Sequence, residues 1–228
     1  MELTIFELRH KIKFTDEYVN VLEIQNKKFF VEIISRLHQV FYGEEIIQSF
    51  VLTENNNSTI LKNEFLIVDN PFMLSYVSKV VCAKLQKFII DKIQQTDELK
   101  EIELLIEKLK VKFSDVFLDL NLELEYNQSV NSLDFLKILT PKIDFVDFEN
   151  VSNTYKNLIN ILSKLNLYKF IIFVGLRDYL NEEEIIDIYK TAKVFGVNLL
   201  VIENNHQNLL PYENKLIVDK DLFEQNIY

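Results

Sequence analysis

The sequence predicts an α/β fold whose head contains a parallel-rich sheet, with an α-helical domain inserted into the head. The first observation is an apolar run of strand length at 19–24 that leads into a helical pattern, the unit from which parallel sheets are built. The second is a pair of runs, 168–174 and 197–202, that are apolar on both faces, as strands in the middle of a parallel sheet are. The third is a stretch from 72 to 117 in which apolar residues recur only at helical spacing.

We assign residues 1–70 and 141–228 to a discontinuous head domain and residues 71–140 to the inserted helical domain. In the first part of the head, apolar residues at helical spacing predict a helix over 27–42. The run Asn55 to Ser58 is rich in turn-forming residues and is predicted to be a turn. The strands of this part are predicted at 3–8, 12–14, 19–24, 47–53 and 65–68.

The helical domain is predicted to contain two long helices between 72 and 117 and a short helix over 129–139. Between them, Leu118 to Asn127 alternates between leucines and polar residues. Alternate side chains of a strand point to opposite faces, so this stretch is predicted to be a strand with one apolar face and one row of oxygens. It lies at the junction of the helical domain and the head.

The head resumes after Pro141. Helices are predicted over 151–166 and from Asn181, a capping residue, to Gly196. A strand, helix and strand in this order predict a right-handed crossover. The last residues, 219–228, are predicted to be a tail. The strands of this part are predicted at 143–146, 168–174, 197–202 and 215–218.

Composition narrows the classes of function. The net charge is -10, with 35 acidic and 25 basic residues, which argues against a protein that coats nucleic acid non-specifically. The N-terminus has no signal-peptide pattern and no apolar run approaches the roughly 20 residues that span a bilayer, so we expect a cytoplasmic protein without a membrane partner. Cys82, the single cysteine, is expected to be buried and inert.

Catalytic motifs are missing from the sequence. The three glycines form no phosphate-binding loop, and the three histidines are scattered, so neither nucleotide hydrolysis nor nucleophilic catalysis is expected. The nearest match to a catalytic set is that of a metal-dependent nuclease, with Asp178, Glu213 and Lys215. Glu213 is predicted to precede its strand instead of lying in it.

The row of oxygens in 118–127 has two interpretations. It is the solvated polar face of an edge strand or of a helix end that runs into an extended segment, or it is part of a cation site, since calcium binds six to eight clustered carboxylate and carbonyl oxygens. In the second case Glu123 and Glu125 would be joined by Asp134 on the short helix and Asp144 on the returning strand.

Taken in order, several segments resemble the Csn-two family, the spacer-acquisition accessory proteins of type II-A CRISPR systems. No single motif is diagnostic, but the order and spacing of the segments are specific, and they extend over nearly the whole chain. The N-terminal forty residues match more loosely. The segments are 21–23 with the helix that follows, 65–69, the two long helices between 72 and 117, 122–126, 133–137, 142–144, 170–174 and 199–203.

The resemblance implies a head similar to a P-loop ATPase without the phosphate loop. It also implies a non-catalytic homotetrameric ring that binds the ends of double-stranded DNA, organised by calcium, and that acts beside the CRISPR integration proteins and the effector nuclease without a nucleotide. Carried over to this chain, the metal ligands would be Glu123, Glu125, Asp134 and Asp144. The DNA-binding lysines would be Lys100, Lys137 and Lys142.

Three amides, Asn121, Asn127 and Gln128, stand where related sequences tend to have acids, so the cation site of this chain is less charged. Two other functions stay open at this point. One is the metal-dependent nuclease described above, and the other is a protein-only scaffold of the adaptation complex.

Overall fold

The computed structural model describes residues 1–44, 50–55, 57–61, 64–119, 129–139, 146–205 and 208–227. The chain divides into two compact units, of which the first combines Met1–Leu74 with Phe145–Tyr228 and the second is Ser75–Asp144. That the second unit acts as an inserted domain of its own stays a prediction. None of the helices in the described ranges is long and apolar enough to cross a membrane.

The first unit contains both sheets, and the elements described in the second unit are helices. In chain order the elements are β1 (Glu2–Ile5), β2 (Ile12–Lys13), β3 (Val19–Ile24), α1 (Lys27–Phe41), β4 (Phe50–Glu54), β5 (Asn57–Ile60), β6 (Phe65–Val68), α2 (Ser75–Gln94), α3 (Glu98–Asp119), α4 (Ser132–Leu139), α5 (Val151–Leu165), β7 (Phe170–Val174), α6 (Glu182–Val194), β8 (Asn198–Glu203), β9 (Glu213–Val218) and β10 (Glu224–Ile227). A short 3-10 helix, Leu176–Asp178, follows β7.

The larger sheet has six strands in the order β10-β9-β3-β8-β7-β6. All neighbouring pairs are parallel except β10 with β9. Strands β3 and β6 come from the start of the chain and the others from its end, so the predicted parallel-rich α/β fold is confirmed. Its inner strands β7 and β8 are the two runs predicted to lie in the middle of the sheet.

The smaller sheet is antiparallel, with the order β2-β1-β4-β5. Here the prediction of a turn over 55–58 is wrong, because Asn57 and Ser58 already belong to β5. Glu54 pairs with Asn57, so the two strands form a tight hairpin, and Asn55 adopts a left-handed conformation with a φ of 49°. Asparagine tolerates this conformation better than most residues.

The predicted tail over 219–228 is also wrong, since it contains strand β10. One oxygen of the Asp219 carboxylate accepts hydrogen bonds from the backbone N–H groups of Asp221 and Phe223, both at 2.9 Å. Leu222 within this turn has a φ of 65°. The side chain of Asp219 therefore reverses the chain and returns it along β9, which places β10 at the edge of the sheet.

The two faces of the six-stranded sheet carry different elements. On one face, residues such as Leu22 and Ile172 belong to a buried cluster with Ile33 of α1 and Leu3 of the smaller sheet. The opposite face carries α5, where the ring of Tyr155 packs edge-on against Phe173 of β7 with centroids 4.8 Å apart. Helix α6 packs beside α5.

Asparagine caps start the helices that cover the sheet. The side chain of Asn181 accepts a hydrogen bond from the N–H of Glu184, whose carboxylate accepts one from the N–H of Asn181, both at 3.0 Å. This capping box satisfies N–H groups that the first turn of α6 leaves unpaired, and it confirms the start predicted for this helix.

The second unit contains the two predicted long helices and the short helix α4. Leu118 and Asp119 lie in the last turn of α3, so the stretch begins as the end of a helix, the alternative to an edge strand that the sequence left open. The rest of that stretch, 120–128, lies outside the described residues. So does most of the predicted strand 143–146, and Val146 at its end has no regular secondary structure.

Candidate functional site

Of the four residues predicted to bind a cation, the structure describes Asp134. It lies in the first turn of α4, where one carboxylate oxygen is 3.1 Å from the Lys137 ammonium and the other accepts a hydrogen bond from the N–H of Asn131 at 3.3 Å. The hydrogen bond from Lys137 and that from Asn131 lower the pKa of Asp134 below its usual value. Glu123, Glu125 and Asp144 lie outside the described residues, as do the three amides near them.

Across the described ranges, no group of three or more histidine, cysteine, aspartate or glutamate residues is placed to hold a metal ion. The predicted calcium site therefore stays a prediction, of which Asp134 is the described part. Asp134 offers a carboxylate that is already ion-paired, so an ion binding there would compete with Lys137 for one of its oxygens.

The predicted DNA-binding lysines that the structure describes, Lys100 and Lys137, are exposed on helices of the second unit. Each ammonium is 3.1 Å from an aspartate three residues earlier, Asp97 for Lys100 and Asp134 for Lys137. Exposed pairs of this kind contribute little to stability, so both lysines can leave their partners for a phosphate at small cost. Lys142 lies outside the described residues.

In the first unit, a buried network of charged residues lies on the face of the sheet that α5 and α6 cover. Glu213 is its centre and is 3% exposed. One of its carboxylate oxygens accepts hydrogen bonds from Arg177 at 2.6 Å and from the Tyr189 hydroxyl at 2.9 Å. The other accepts the N–H of Leu210 at 2.8 Å. Burial and the negative charge of Glu213 raise the pKa of Tyr189 well above its usual value, so this hydroxyl stays a donor.

Lys215 extends the network along β9 to the neighbouring strand. Its ammonium is 3.5 Å from a carboxylate oxygen of Glu23 on β3 and 4.0 Å from Glu213, and it donates to the carbonyl of Asn208 at 3.3 Å. Glu23, Glu213 and Lys215 are each 3% exposed or less. Such buried charges persist only when they are paired and hydrogen-bonded.

This geometry bears on the nuclease alternative. Glu213 is the first residue of β9, so the prediction that it precedes the strand is wrong. Both oxygens of Glu213 are engaged by protein donors, and its partner Lys215 is buried. Asp178, by contrast, is exposed. For Glu213 to ligate a metal it would have to give up hydrogen bonds in the core, so the network is better explained as a stabilising element of the head.

Glu203 is a further buried acid, at the carboxyl end of β8 and beside Glu23 in the register of the sheet. It accepts a hydrogen bond from the N–H of Arg177 at 3.1 Å. Burial raises the pKa of Glu203 from an ordinary value of 4.5 to about 7, and it outweighs the opposing effect of Arg177. Glu203 therefore changes its charge near neutral pH inside the head.

The raised pKa of Glu203 predicts a pH-dependent stability. Folded Glu203 holds its proton up to about pH 7 and the unfolded residue only to 4.5, so the unfolding free energy contributed here falls as pH rises between these values. Above pH 7 the unfolding free energy is lower by about 3 kcal/mol than it is below pH 4.5, where Glu203 is protonated in both states. We expect Glu203→Gln to be more stable than the parent protein at pH 8, and the difference in unfolding free energy to become small at pH 5. Urea denaturation followed by circular dichroism measures this difference. An equal gap at both pH values would contradict this assignment.

Sequence reasoning identified Glu213 and Lys215 but missed Glu23, Glu203 and Tyr189. A signal was present in the sequence, since Glu23 and Glu203 each lie in a strand whose other residues are mostly apolar. A charged residue inside such a run predicts a buried partner elsewhere in the chain. Nothing in the sequence showed that the partner of Glu23 is 192 residues away.

The connection from β3 to α1 is the position where a nucleotide-binding sheet would carry its phosphate loop. Here Gln25 and Asn26 form the whole connection, and it has no glycine. The side chain of Asn26 accepts hydrogen bonds from the N–H groups of Lys28 and Phe29, both at 3.1 Å. These are the donors that would face a phosphate, and an asparagine cap already occupies them.

Comparisons with known proteins agree with this architecture. A family model described as CRISPR-associated protein (Cas_Csn2) matches residues 49–222. The crystal structure of Stu0660 of Streptococcus thermophilus is similar to the chain with a TM-score of 0.60 at 13% sequence identity. The similarity covers 100% of this chain and 76% of that one, and at this identity it shows a shared fold. No curated protein matches the chain.

Proposed function

Because the chain belongs to the Cas_Csn2 family of CRISPR-associated proteins, as the resemblance in its sequence predicted, we propose that it is a non-catalytic protein that binds the ends of double-stranded DNA during spacer acquisition. In this proposal four copies form a ring, lysines inside the ring contact the DNA, and calcium organises the assembly. Its partners are the CRISPR integration proteins and the effector nuclease.

The observation that carries the proposal is the family match over 49–222, a range that includes the whole second unit and its lysines. The charge of the chain is compatible with DNA binding if basic side chains are gathered in one place, because each phosphate neutralised by a lysine releases counterions from the duplex. Helices α2 and α3 supply such side chains. Their lysines are Lys79, Lys84, Lys87, Lys92, Lys100, Lys108, Lys110 and Lys112.

The absence of catalysis is supported by the missing motifs in the sequence and by the engaged oxygens of Glu213. Glu203, the buried acid with a pKa near neutrality, is 4% exposed and is fixed by the N–H of Arg177. A residue of this kind can titrate, but it does not reach a substrate on the surface.

The first prediction of the proposal concerns DNA ends. In an electrophoretic shift assay with calcium, we expect a linear duplex to be bound and a closed circle of the same sequence to remain free, because a ring threads only a molecule with an end. Equal binding to both would overturn the proposal. Cleavage of either DNA with magnesium or manganese would favour the nuclease, and a tetramer in light scattering without DNA affinity would favour the scaffold.

The same assay tests the role of calcium. A chelator is expected to weaken binding to the linear duplex, and the double variant Glu123→Ala with Glu125→Ala is expected to lose the calcium effect. A matched control is Glu182→Ala with Glu183→Ala, which removes two neighbouring exposed acids from the first turn of α6. If both double variants respond to calcium like the parent protein, Glu123 and Glu125 are not its ligands.

A further inference from the structure

Three segments of the first unit bring exposed aromatic side chains together. Phe72, Phe148 and Tyr179 are 43%, 76% and 38% exposed, and Met73 beside them is 73% exposed. The rings of Phe72 and Phe148 are stacked with centroids 6.3 Å apart and planes at 8°, and Tyr179 meets Phe72 edge-on at 6.2 Å. We call these four residues the aromatic surface. Large apolar side chains that are clustered and exposed mark interaction sites more often than scattered ones.

The aromatic surface is held in place by hydrogen bonds of the backbone that carries it. The N–H of Phe72 donates to the side chain of Asn70 at 2.9 Å. On the other segment, the Asp147 carboxylate accepts the N–H groups of Glu149 and Asn150, each at 3.0 Å, and so fixes the turn that presents Phe148. A surface that is ordered before binding loses less conformational entropy when a partner arrives.

The three segments that carry the aromatic surface are rich in acidic residues. The three segments that carry it, 69–74, 146–150 and 175–184, contain seven acidic residues and one basic residue. The basic residue, Arg177, has a side chain that is 6% exposed and is paired with Glu213 in the core. Asp69 is paired with His38 at 3.1 Å, and this pairing lowers its pKa, so Asp69 stays charged.

We propose that the aromatic surface binds an arginine-containing basic segment of another protein. The guanidinium lies over the exposed ring of Phe148, and the surrounding carboxylates attract and pair with the other cationic side chains. Arginine is favoured over lysine because its planar group stacks on an aromatic face and is weakly hydrated. The residues of this site belong to the first unit and the lysines proposed to bind DNA belong to the second, so the inference does not depend on DNA-end binding.

The same observations argue against nucleic acid as the occupant. Exposed aromatic rings can stack on bases, but such sites combine stacking with basic side chains that track the phosphates. Here the cationic group within the three segments is buried, and the acids next to Phe148, Asp147 and Glu149, would repel a phosphate. Charge complementarity therefore selects a cationic partner.

Methionine signals in nuclear magnetic resonance test the proposal on the full chain. The protein has two methionines, so labelling their methyl groups with carbon-13 reports on Met73 at the aromatic surface and on Met1, which packs against the core, as an internal control. The probe is the acetylated and amidated peptide Gly-Arg-Gly-Arg-Gly. A peptide with citrulline in place of arginine keeps the shape and removes the charge. We expect a saturable shift of Met73 with the arginine peptide and none with the citrulline peptide.

Matched variants separate the aromatic surface from general attraction to an acidic protein. Phe148→Ala is expected to weaken binding of the arginine peptide about fivefold, which corresponds to the loss of a cation–π contact at an exposed site. Phe223→Ala removes a ring of similar exposure, 69%, from the turn before β10 and is expected to leave peptide binding unchanged. The proposal is overturned if Phe148→Ala binds like the parent protein. It is also overturned if short duplex DNA shifts Met73 more than the peptide does, or if Phe148→Ala changes the oligomeric mass, which would make the surface a contact between copies.

Discussion

Replacing Glu213 with alanine is expected to lower the unfolding free energy of the head by about 3 to 5 kcal/mol, the effect of breaking a buried ion pair. The carboxylate of Glu213 accepts hydrogen bonds from Arg177, from the Tyr189 hydroxyl and from a backbone N–H. Its removal leaves the Arg177 cation in the core without the partner that offsets its lost hydration, and that penalty exceeds the value of the lost attraction.

Urea denaturation followed by circular dichroism measures this effect, and three companion variants identify its cause. Tyr189→Phe removes one hydrogen bond and is expected to cost about 1 kcal/mol. Glu183→Ala removes an exposed acid and is expected to stay within about 0.5 kcal/mol of the parent protein. The double variant Arg177→Met with Glu213→Leu removes both charges, and its unfolding free energy is expected to fall by less than that of Glu213→Ala. A cost below about 1 kcal/mol for Glu213→Ala would show that the pair does not hold the core together.

The strands of the large sheet other than β10 were predictable because each carries its own signal. Phe170–Val174 is wholly apolar and Val19–Ile24 is mostly apolar, so their burial follows from composition. Strands β5 and β10 were missed because they depend on turns. In each case a residue other than glycine, Asn55 or Leu222, takes a positive φ that composition does not reveal.

The end of α3 illustrates a conflict between two periodicities. Leu118 and Asp119 begin a stretch that alternates like a strand, yet in the structure α3 includes both of them. A pattern of period two is therefore weak evidence at the point where a long helix enters it, because the end of a helix depends on its capping contacts.

The candidate site was predictable in its residue types but not in its pairings. Glu213 and Lys215 were singled out only as members of a hypothetical nuclease set with Asp178, whereas the structure pairs Lys215 with Glu23 and Glu213 in the core. Ion pairs between residues this far apart in the sequence are set by the register of β3 with β9, which places Val21 opposite Lys215. Of the residues predicted to bind a cation, the described one, Asp134, has an unexpected partner in Lys137.

That pairing leads to the second large effect, on DNA affinity. If calcium takes the carboxylate of Asp134, as proposed, it releases Lys137 from its ion pair and leaves the ammonium free for a phosphate. Lys137→Gln is therefore expected to weaken binding to linear DNA about tenfold with calcium and about threefold with a chelator, where Asp134 still competes for the ammonium. It should also lower the slope of the logarithm of affinity against the logarithm of salt concentration by about 1 for each lysine lost, because one phosphate contact is lost with it.

Lys100→Gln is the matched control, because its partner Asp97 is not among the predicted calcium ligands, although the two ion pairs have the same spacing and the same distance of 3.1 Å. Its effect on binding, measured by fluorescence anisotropy over a salt series, should be equal with calcium and with a chelator. If the effect of Lys137→Gln on affinity is also the same with calcium and with a chelator, Asp134 does not exchange its lysine for an ion. Calcium then acts on DNA binding through other residues.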